Sequence, residues 1–457
     1  MNRPAPRLQR SAGILTLAAA LIGTLLVLGA CGRSDAPPSG AASEDRPALV
    51  RVPADATTLQ QAIDRVASGG MVLVSPGTYQ ETAVVSTKDV TVRGTDRNQV
   101  VIDGGGIRPY GIVGIADGVR VQNLTVRNTT FYGVLVTGLH DKAGPRANAD
   151  NTSGGYETFD PAKFPPLQRF EIDHVTAYDN GLYGIYAFNS EHGTIHDNYA
   201  SGSADSGFYV GQCHSCDVLV TGNIGERNAV GFENANASAP LYVVGNRFSD
   251  NRVGMTFLSD YQEVFIPQKG NVVAGNLIAD NNATATPVQA DGGYGIGIGV
   301  SGGTANTFLR NRITDNLRAG LVLANTNDLP AKGNAVTGSV FARNGVDVAG
   351  ISSEAYPATA TCLTGAQVAT SFPARLLRAL RACTSGPTPA GSATELAATS
   401  PAPEGISFLD VAAPPTQPGL ADPSSAPSLL PGTVTMPAES TIRLPATDLL
   451  ADLALQE

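Results

Sequence analysis

Tryptophan is missing from the 457 residues, and charged side chains make up only 15% of them. Any aromatic surface therefore has only tyrosine and phenylalanine to draw on. Basic residues are the scarcer charge, 30 Lys+Arg against 40 Asp+Glu, for a net charge of −10. Loss of Arg3, Arg7 and Arg10 with an N-terminal leader takes this to about −13, so the chain lacks the basic footprint that nucleic-acid binding requires. Histidine is sparse as well: the five residues are scattered, and His174 and His196 alternate with apolar strand residues, which reads as satisfied polar side chains. Cysteine is limited to five, and no cofactor-binding motif stands out.

What is abundant is repetition. Gly184, Gly207, Gly231 and Gly254 recur at 23, 24 and 23 residues, each followed by an apolar, any, apolar-or-small triplet. A second signature, an Asn with another Asn five positions on, occurs at Asn123/Asn128, Asn223/Asn228, Asn246/Asn251, Asn276/Asn281 and Asn311/Asn316. A fixed period of this size implies a solenoid or a propeller. The implied strands are short, alternate apolar with polar and are punctuated by Gly, Asn, Asp and Ser. Near 23 residues the repeat is too short for a propeller blade or a helical pair, which leaves a β-helix of roughly nine to eleven coils.

Residues one coil apart then stack in columns. Three apolar columns are predicted: Val134, Ile185, Phe208, Phe232, Met255, Ile296 and Leu321; Ile195, Val220, Val243, Val273 and Phe308; and Phe248, Ile278 and Ile313. The Asn columns read as turn residues that tolerate left-handed backbone and bond local main chain, with their amides stacked coil on coil.

These repeats, in wording such as Gly184-Ile185-Tyr186-Ala187 and Thr194-Ile195-His196-Asp197-Asn198, resemble the right-handed parallel β-helix (pectin-lyase-like) superfamily. They are similar to carbohydrate-binding and sugar-hydrolase β-helix domains, and to periplasmic copper-binding accessory β-helices. The resemblance covers roughly residues 50 to 350 and implies an all-β, single-stranded right-handed parallel β-helix. For function it is permissive, because one fold hosts many chemistries.

Residues 1–30 read as a lipoprotein signal peptide, with a basic start, an apolar Ala12–Leu28 core and Leu28-Gly29-Ala30-Cys31. That tetrapeptide resembles a bacterial lipobox, so Cys31 is the expected lipidation site, anchoring the protein to the outer face of the cytoplasmic membrane or to the outer membrane. Residues 31–50 are a flexible spacer and 51–350 the solenoid. Thr57 or Thr58 caps a short helix with Leu59, Ile63 and Val66 on one face, covering the open end of the core. The other four cysteines, an even number in an oxidising compartment, pair most simply as Cys213–Cys216 and Cys362–Cys383. The second pair staples a 351–390 cap in which 372–380 is helical. Residues 391–457, rich in Pro, Ala, Ser and Thr, read as a mostly disordered tail with a weak helix near 444–455.

Function must lie outward. The residue two after each reference glycine points out, so Tyr186 and Tyr209 form a platform ~5 Å apart with Glu233 beside it. Long excursions leave the solenoid at 140–166, 259–270 and 282–293, bringing His140 and Asp260 to the same side. Aromatic faces near carboxylates suit sugars. The expected function is therefore non-catalytic polysaccharide or glycan binding by a monomeric envelope lipoprotein at Tyr186, Tyr209, Glu233, His140 and Asp260. The alternative is a polysaccharide lyase, hydrolase or epimerase on that face. The N-T-D, D-D and G-H-G motifs of β-helix polygalacturonases and the D-P-H of the epimerases are missing, and acid/base work falls to Glu233 with Asp205 or His192. A third reading takes Cys213, His214 and Cys216 as copper or zinc ligands, although one C-x-x-C without a second ligand pair favours the disulfide.

Overall fold

A computed structural model describes residues 46–142, 144–146 and 158–455. The predicted leader, Cys31 and most of the spacer lie outside the described residues. Each central coil supplies one strand to a 12-stranded sheet and two short strands to a 20-stranded sheet. In one coil these are Ser206–Gly211, Val218–Thr221 and Ile224–Glu226. Pairing between coils is parallel, with Phe208 opposite Phe232 and Val220 opposite Val243. We refer to the two as the narrow and the broad sheet.

The broad sheet carries one unbroken column: Val50, Val72, Val92, Val121, Ile172, Ile195, Val220, Val243, Val273, Phe308, Val336 and Leu363. Among the described residues twelve rungs stand where nine to eleven coils were expected. The first strand starts at Leu49, and the last coil continues through Cys362–Thr364 and Ser371–Phe372, inside the segment assigned to the cap.

The narrow-sheet column is as predicted except at one rung, where Met255 pairs with Ile298 and not with Ile296. Gly295-Ile296-Gly297-Ile298 offers two frames, and stacking selects the second. A Cβ on Gly254 would meet the Gly297 carbonyl at 2.6 Å, so the glycine that stacks on Gly254 is Gly297, and Ile296 points outward, half-buried.

The asparagine ladders form as expected. Nδ2 of Asn198, Asn223, Asn246 and Asn276 donates to Oδ1 of the next Asn in the column at 2.9–3.0 Å. A second ladder runs Asn228, Asn251, Asn281, Asn316, Asn344 at 3.0–3.1 Å. Each amide also reaches main chain, as from Asn246 Nδ2 to the Val220 carbonyl at 3.0 Å, so these buried groups are satisfied. The left-handed backbone, however, sits one residue earlier. Gly222, Gly245, Gly275, Arg227, Asp250 and Asp280 have φ between 54° and 69°, whereas of the signature asparagines only Asn123 and Asn128 have positive φ. The residue before makes the turn and leaves the Asn to aim its amide into the corner.

Both ends are covered. The helix Leu59–Arg65 is N-capped by Thr58, whose hydroxyl accepts from Gln61 N–H, and buries Leu59, Ala62 and Ile63. At the far end the helix Leu376–Arg381 places Leu376 and Leu380 in the core, and a disulfide joins Cys362 to Cys383.

The tail departs from expectation. Residues 400–455 lie along the solenoid as a strap, with turns where the 444–455 helix was predicted. Its carbonyls accept from nine arginines: Ser400 from Arg318, Pro403 and Glu404 from Arg252, Ala412 from Arg227, Pro418 from Arg97, Pro423 and Ser425 from Arg93, Ser428 from Arg120, Glu439 and Ile442 from Arg310, Pro445 from Arg312, and Leu449 from Arg247. The partners descend the solenoid, climb it and descend again. A segment too rich in Pro, Ala, Ser and Thr to build its own core is ordered by a surface already built. Its many prolines have little chain entropy to lose on docking.

Candidate active site on the narrow sheet

The outward column of the narrow sheet runs Val113, Leu135, Tyr186, Tyr209, Glu233, Thr256, Gly299, Val322. Tyr186 and Tyr209 point outward as predicted, with ring centroids 4.7 Å apart. They are nevertheless buried, at 3% and 0% exposure. Two excursions meet over them: Phe159 packs on Phe188 at 6.1 Å and on Phe265 at 6.3 Å, and Phe159 and Phe188 share one apolar cluster with both tyrosines. The rings also cross at 78°. The open aromatic platform expected from the sequence is therefore covered, because alternation along a strand sets direction and not what lies above it.

The carboxylates next along are brought together. Ser206 Oγ bonds Glu233 Oε2 and lies 3.3 Å from Asp205 Oδ1. Tyr209 donates from its hydroxyl to Glu263 Oε1 at 2.9 Å. Burial pushes the Glu233 carboxyl well above its ordinary range, and the Asp205 charge adds to this. Burial likewise lifts Asp205 to about 6 and Glu263 to about 8, opposed in Glu263 by the Tyr209 bond. A value of about 8 leaves the Glu263 proton in place at neutral pH, and Glu233 is shifted in the same direction.

The remaining sequence candidates are elsewhere or play other parts. His192 bonds Asp217 at 2.7 Å from the broad sheet. His140 pairs with Pro145 in a small hairpin. Asp260 is anchored by Asn236, which accepts from its N–H at 3.0 Å, and its charge helps raise Glu263. Cys213 and Cys216 form a disulfide, so the thiolate copper or zinc site is not formed. His214 lies 3.4 Å from Ser215 Oγ, its ring near Phe265.

Beyond Glu233 the face opens into a groove of about 290 Å³. Thr256, one rung from Glu233, Gly299 and Val322 line it, together with Gln289, Asp291 and Arg318, and Leu396 of the helix Ala393–Ala398 closes one side. Asp291 lies close enough for its charge to raise both Glu233 and Asp205. Glu263, Gln289 and Asp291 are not singled out by the sequence, yet all three lie in excursions recognisable from the broken repeat. A larger cavity, about 650 Å³, lies by Glu226, Arg247, Asp250 and Asp280, but the chain's own Leu455 lines it and donates its N–H to Glu226.

Residues 80–268 match the family described as "Right handed beta helix region". With the coils above, this identifies the fold as a right-handed parallel β-helix. Among solved structures, the A-module of Azotobacter vinelandii mannuronan C-5 epimerase AlgE4 is 14% identical, covering 72% of this chain and 94% of that one with a TM-score of 0.44. An alginate lyase from Paenibacillus sp. FPU-7 is 12% identical over 69% and 93%, TM-score 0.36, and pectate lyase Pel9A 16% over 68% and 72%, TM-score 0.37. No curated protein matches the sequence.

Proposed function

We propose that the protein binds a polysaccharide in the groove that starts at Glu233 and passes over Thr256, Gly299 and Val322. The observation that carries this reading is the groove's make-up. Small side chains leave room for a sugar ring, Val322 and Ile351 offer apolar surface to its C–H face, and Gln289, Asp291 and Arg318 supply donors and acceptors for hydroxyl or carboxylate groups. The face is the one expected from sequence, but the open part lies beyond the covered tyrosines.

Gly299 gives the test. A Cβ there would meet nothing nearer than 3.9 Å, so Gly299→Trp projects into the groove without displacing backbone. Titration with alginate and pectate oligosaccharides is expected to show at least a roughly tenfold loss of affinity in this variant, a penalty of about 1.4 kcal/mol. Unchanged affinity for every saccharide bound by the wild type removes the reading.

A second reading, acid/base chemistry on the bound glycan, is favoured by one observation: Glu233 and Asp205 share the Ser206 hydroxyl beside the groove, and burial raises both carboxyls, as general acids require. Under it, release of unsaturated or reducing sugars from uronate polymers disappears in Glu233→Gln while binding persists. No such release by the wild type returns the site to binding alone.

We also propose that the chain is an envelope lipoprotein acylated at Cys31 and otherwise monomeric. Palmitate labelling and membrane association are expected in cells and lost in Cys31→Ala. A soluble, unlabelled wild-type protein contradicts this.

A further inference from the structure

The broad sheet carries a second cluster on the face turned away from the core. Glu171 and Asp173 point outward from the strand Leu167–Tyr178, and His196 stands directly opposite Asp173 on the next coil. One ligand atom from each lies within 4.8 Å of the others. His196 Nε2 and Glu171 Oε1 are 3.4 Å apart. Two ligand atoms bound at ~2.0–2.1 Å to a tetrahedral ion stand about 3.3–3.4 Å apart, so this gap is the width of a metal ion's coordination sphere.

The surroundings fit the same use. His196 Nδ1 is paired with Asp197 Oδ2 at 2.8 Å, which turns Nε2 toward the cluster, as the carboxylate partners of metal-bound imidazoles do. His174 Nδ1 holds Asp173 Oδ2 at 2.9 Å. The other oxygen, Asp173 Oδ1, is buried without a hydrogen-bond partner on a residue only 2% exposed, a costly condition for a carboxylate unless something binds it. Arg120 Nε lies 2.6 Å from Oε2 of Glu171, while Oε1 is the oxygen that faces His196 Nε2. The side chains of Glu171 and His196 are 21% and 26% exposed, so an ion has a way in from solvent.

We propose that Glu171, Asp173 and His196 bind a divalent first-row transition metal such as zinc, with Asp197 and His174 as positioning residues. Two carboxylate oxygens and one imidazole make a mixed O/N set that suits zinc or its neighbours and leave a fourth position for water or an exogenous ligand. The site shares no residue with the narrow-sheet groove and stands whether or not the groove binds glycan. It is also distinct from the Cys213–Cys216 segment, whose sulfurs are oxidised.

The full chain, stripped with EDTA and dialysed, tests this by calorimetric titration with ZnCl₂ and by cobalt(II) absorption. One equivalent of zinc is expected per chain, with visible cobalt bands of a four-coordinate O/N site. His196→Ala and Asp173→Asn are each expected to weaken binding at least a hundredfold, and Asp197→Asn roughly ten- to a hundredfold. Replacing both Cys213 and Cys216 by Ser should leave it unchanged. Asp173→Asn keeps the shape of the side chain, so it remains informative should His196→Ala fold poorly. The proposal is overturned if the wild type takes up neither zinc nor cobalt, if it binds only calcium, or if folded Asp173→Asn binds zinc as tightly as the wild type.

Discussion

Replacing Glu263 by Gln is expected to stabilise the fold at pH 9 by up to roughly 3–5 kcal/mol and to leave it unchanged at pH 4, given the ~1.4 kcal/mol that each pH unit between the folded and unfolded pKa is worth. The sign follows from proton binding. The folded protein keeps the Glu263 proton up to about pH 8, whereas an unfolded chain releases it near the ordinary value of 4.5. Between these values the native state holds more protons, so stability falls as pH rises, and above the folded value the loss stays constant. The range quoted allows for relaxation around the site. Gln can still accept the Tyr209 hydroxyl, so the bond at 2.9 Å survives the change. Guanidinium unfolding of both proteins from pH 4 to 9 gives the comparison, and parallel pH profiles would show that Glu263 is not the strained group. If the groove is used for acid/base work, the same substitution is expected to cost activity, because a destabilised carboxyl beside a ligand site is kept for its chemistry.

The second large effect belongs to the interior. Phe232→Ala is expected to lower stability by about 3–5 kcal/mol, read as a shift in denaturation midpoint. Phe232 is fully buried, with Phe248 at 5.8 Å and Phe257 at 6.1 Å. Its neighbours in the column, Phe208 and Met255, are fixed by the pairing of their own strands and cannot close the hole. Each coil of a solenoid is stabilised chiefly by the two it touches, so the damage is expected as local opening around residues 206–258. Hydrogen exchange would locate it. Uniform loss of protection along the whole solenoid would mean that the coils unfold as one unit.

Much of this architecture is legible because a solenoid turns sequence distance into height. The Gly184, Gly207, Gly231, Gly254 spacing places Phe208 beneath Phe232, and the paired asparagines announce both ladders. Where two frames compete, at Gly295 and Gly297, only backbone contact decides between them. The candidate site is half legible. Glu233 follows from the column and Asp205 from the turn beside it, but Tyr186 and Tyr209 disappear into a cluster with Phe159, and Tyr209 bonds Glu263; Phe159 and Glu263 come from excursions the repeat does not describe. Glu171, Asp173 and His196 illustrate the opposite case: His196 reads as an isolated strand histidine until the neighbouring coil sets Asp173 opposite it. Composition misleads about the tail, since it speaks to whether a segment makes its own core and says nothing of carbonyls that nine arginines elsewhere can receive.

That strap has a bearing on the order of assembly. Residues 400–455 are synthesised after every coil they bridge, and their anchors range from Arg93 near the start of the solenoid to Arg318 near its end. The full set of these contacts requires all the rungs it spans to have reached their final spacing. The strap therefore acts as a gauge of completed height: a solenoid with one rung missing or slipped presents its arginines at the wrong intervals, and the last-made stretch of polypeptide has nowhere to lie.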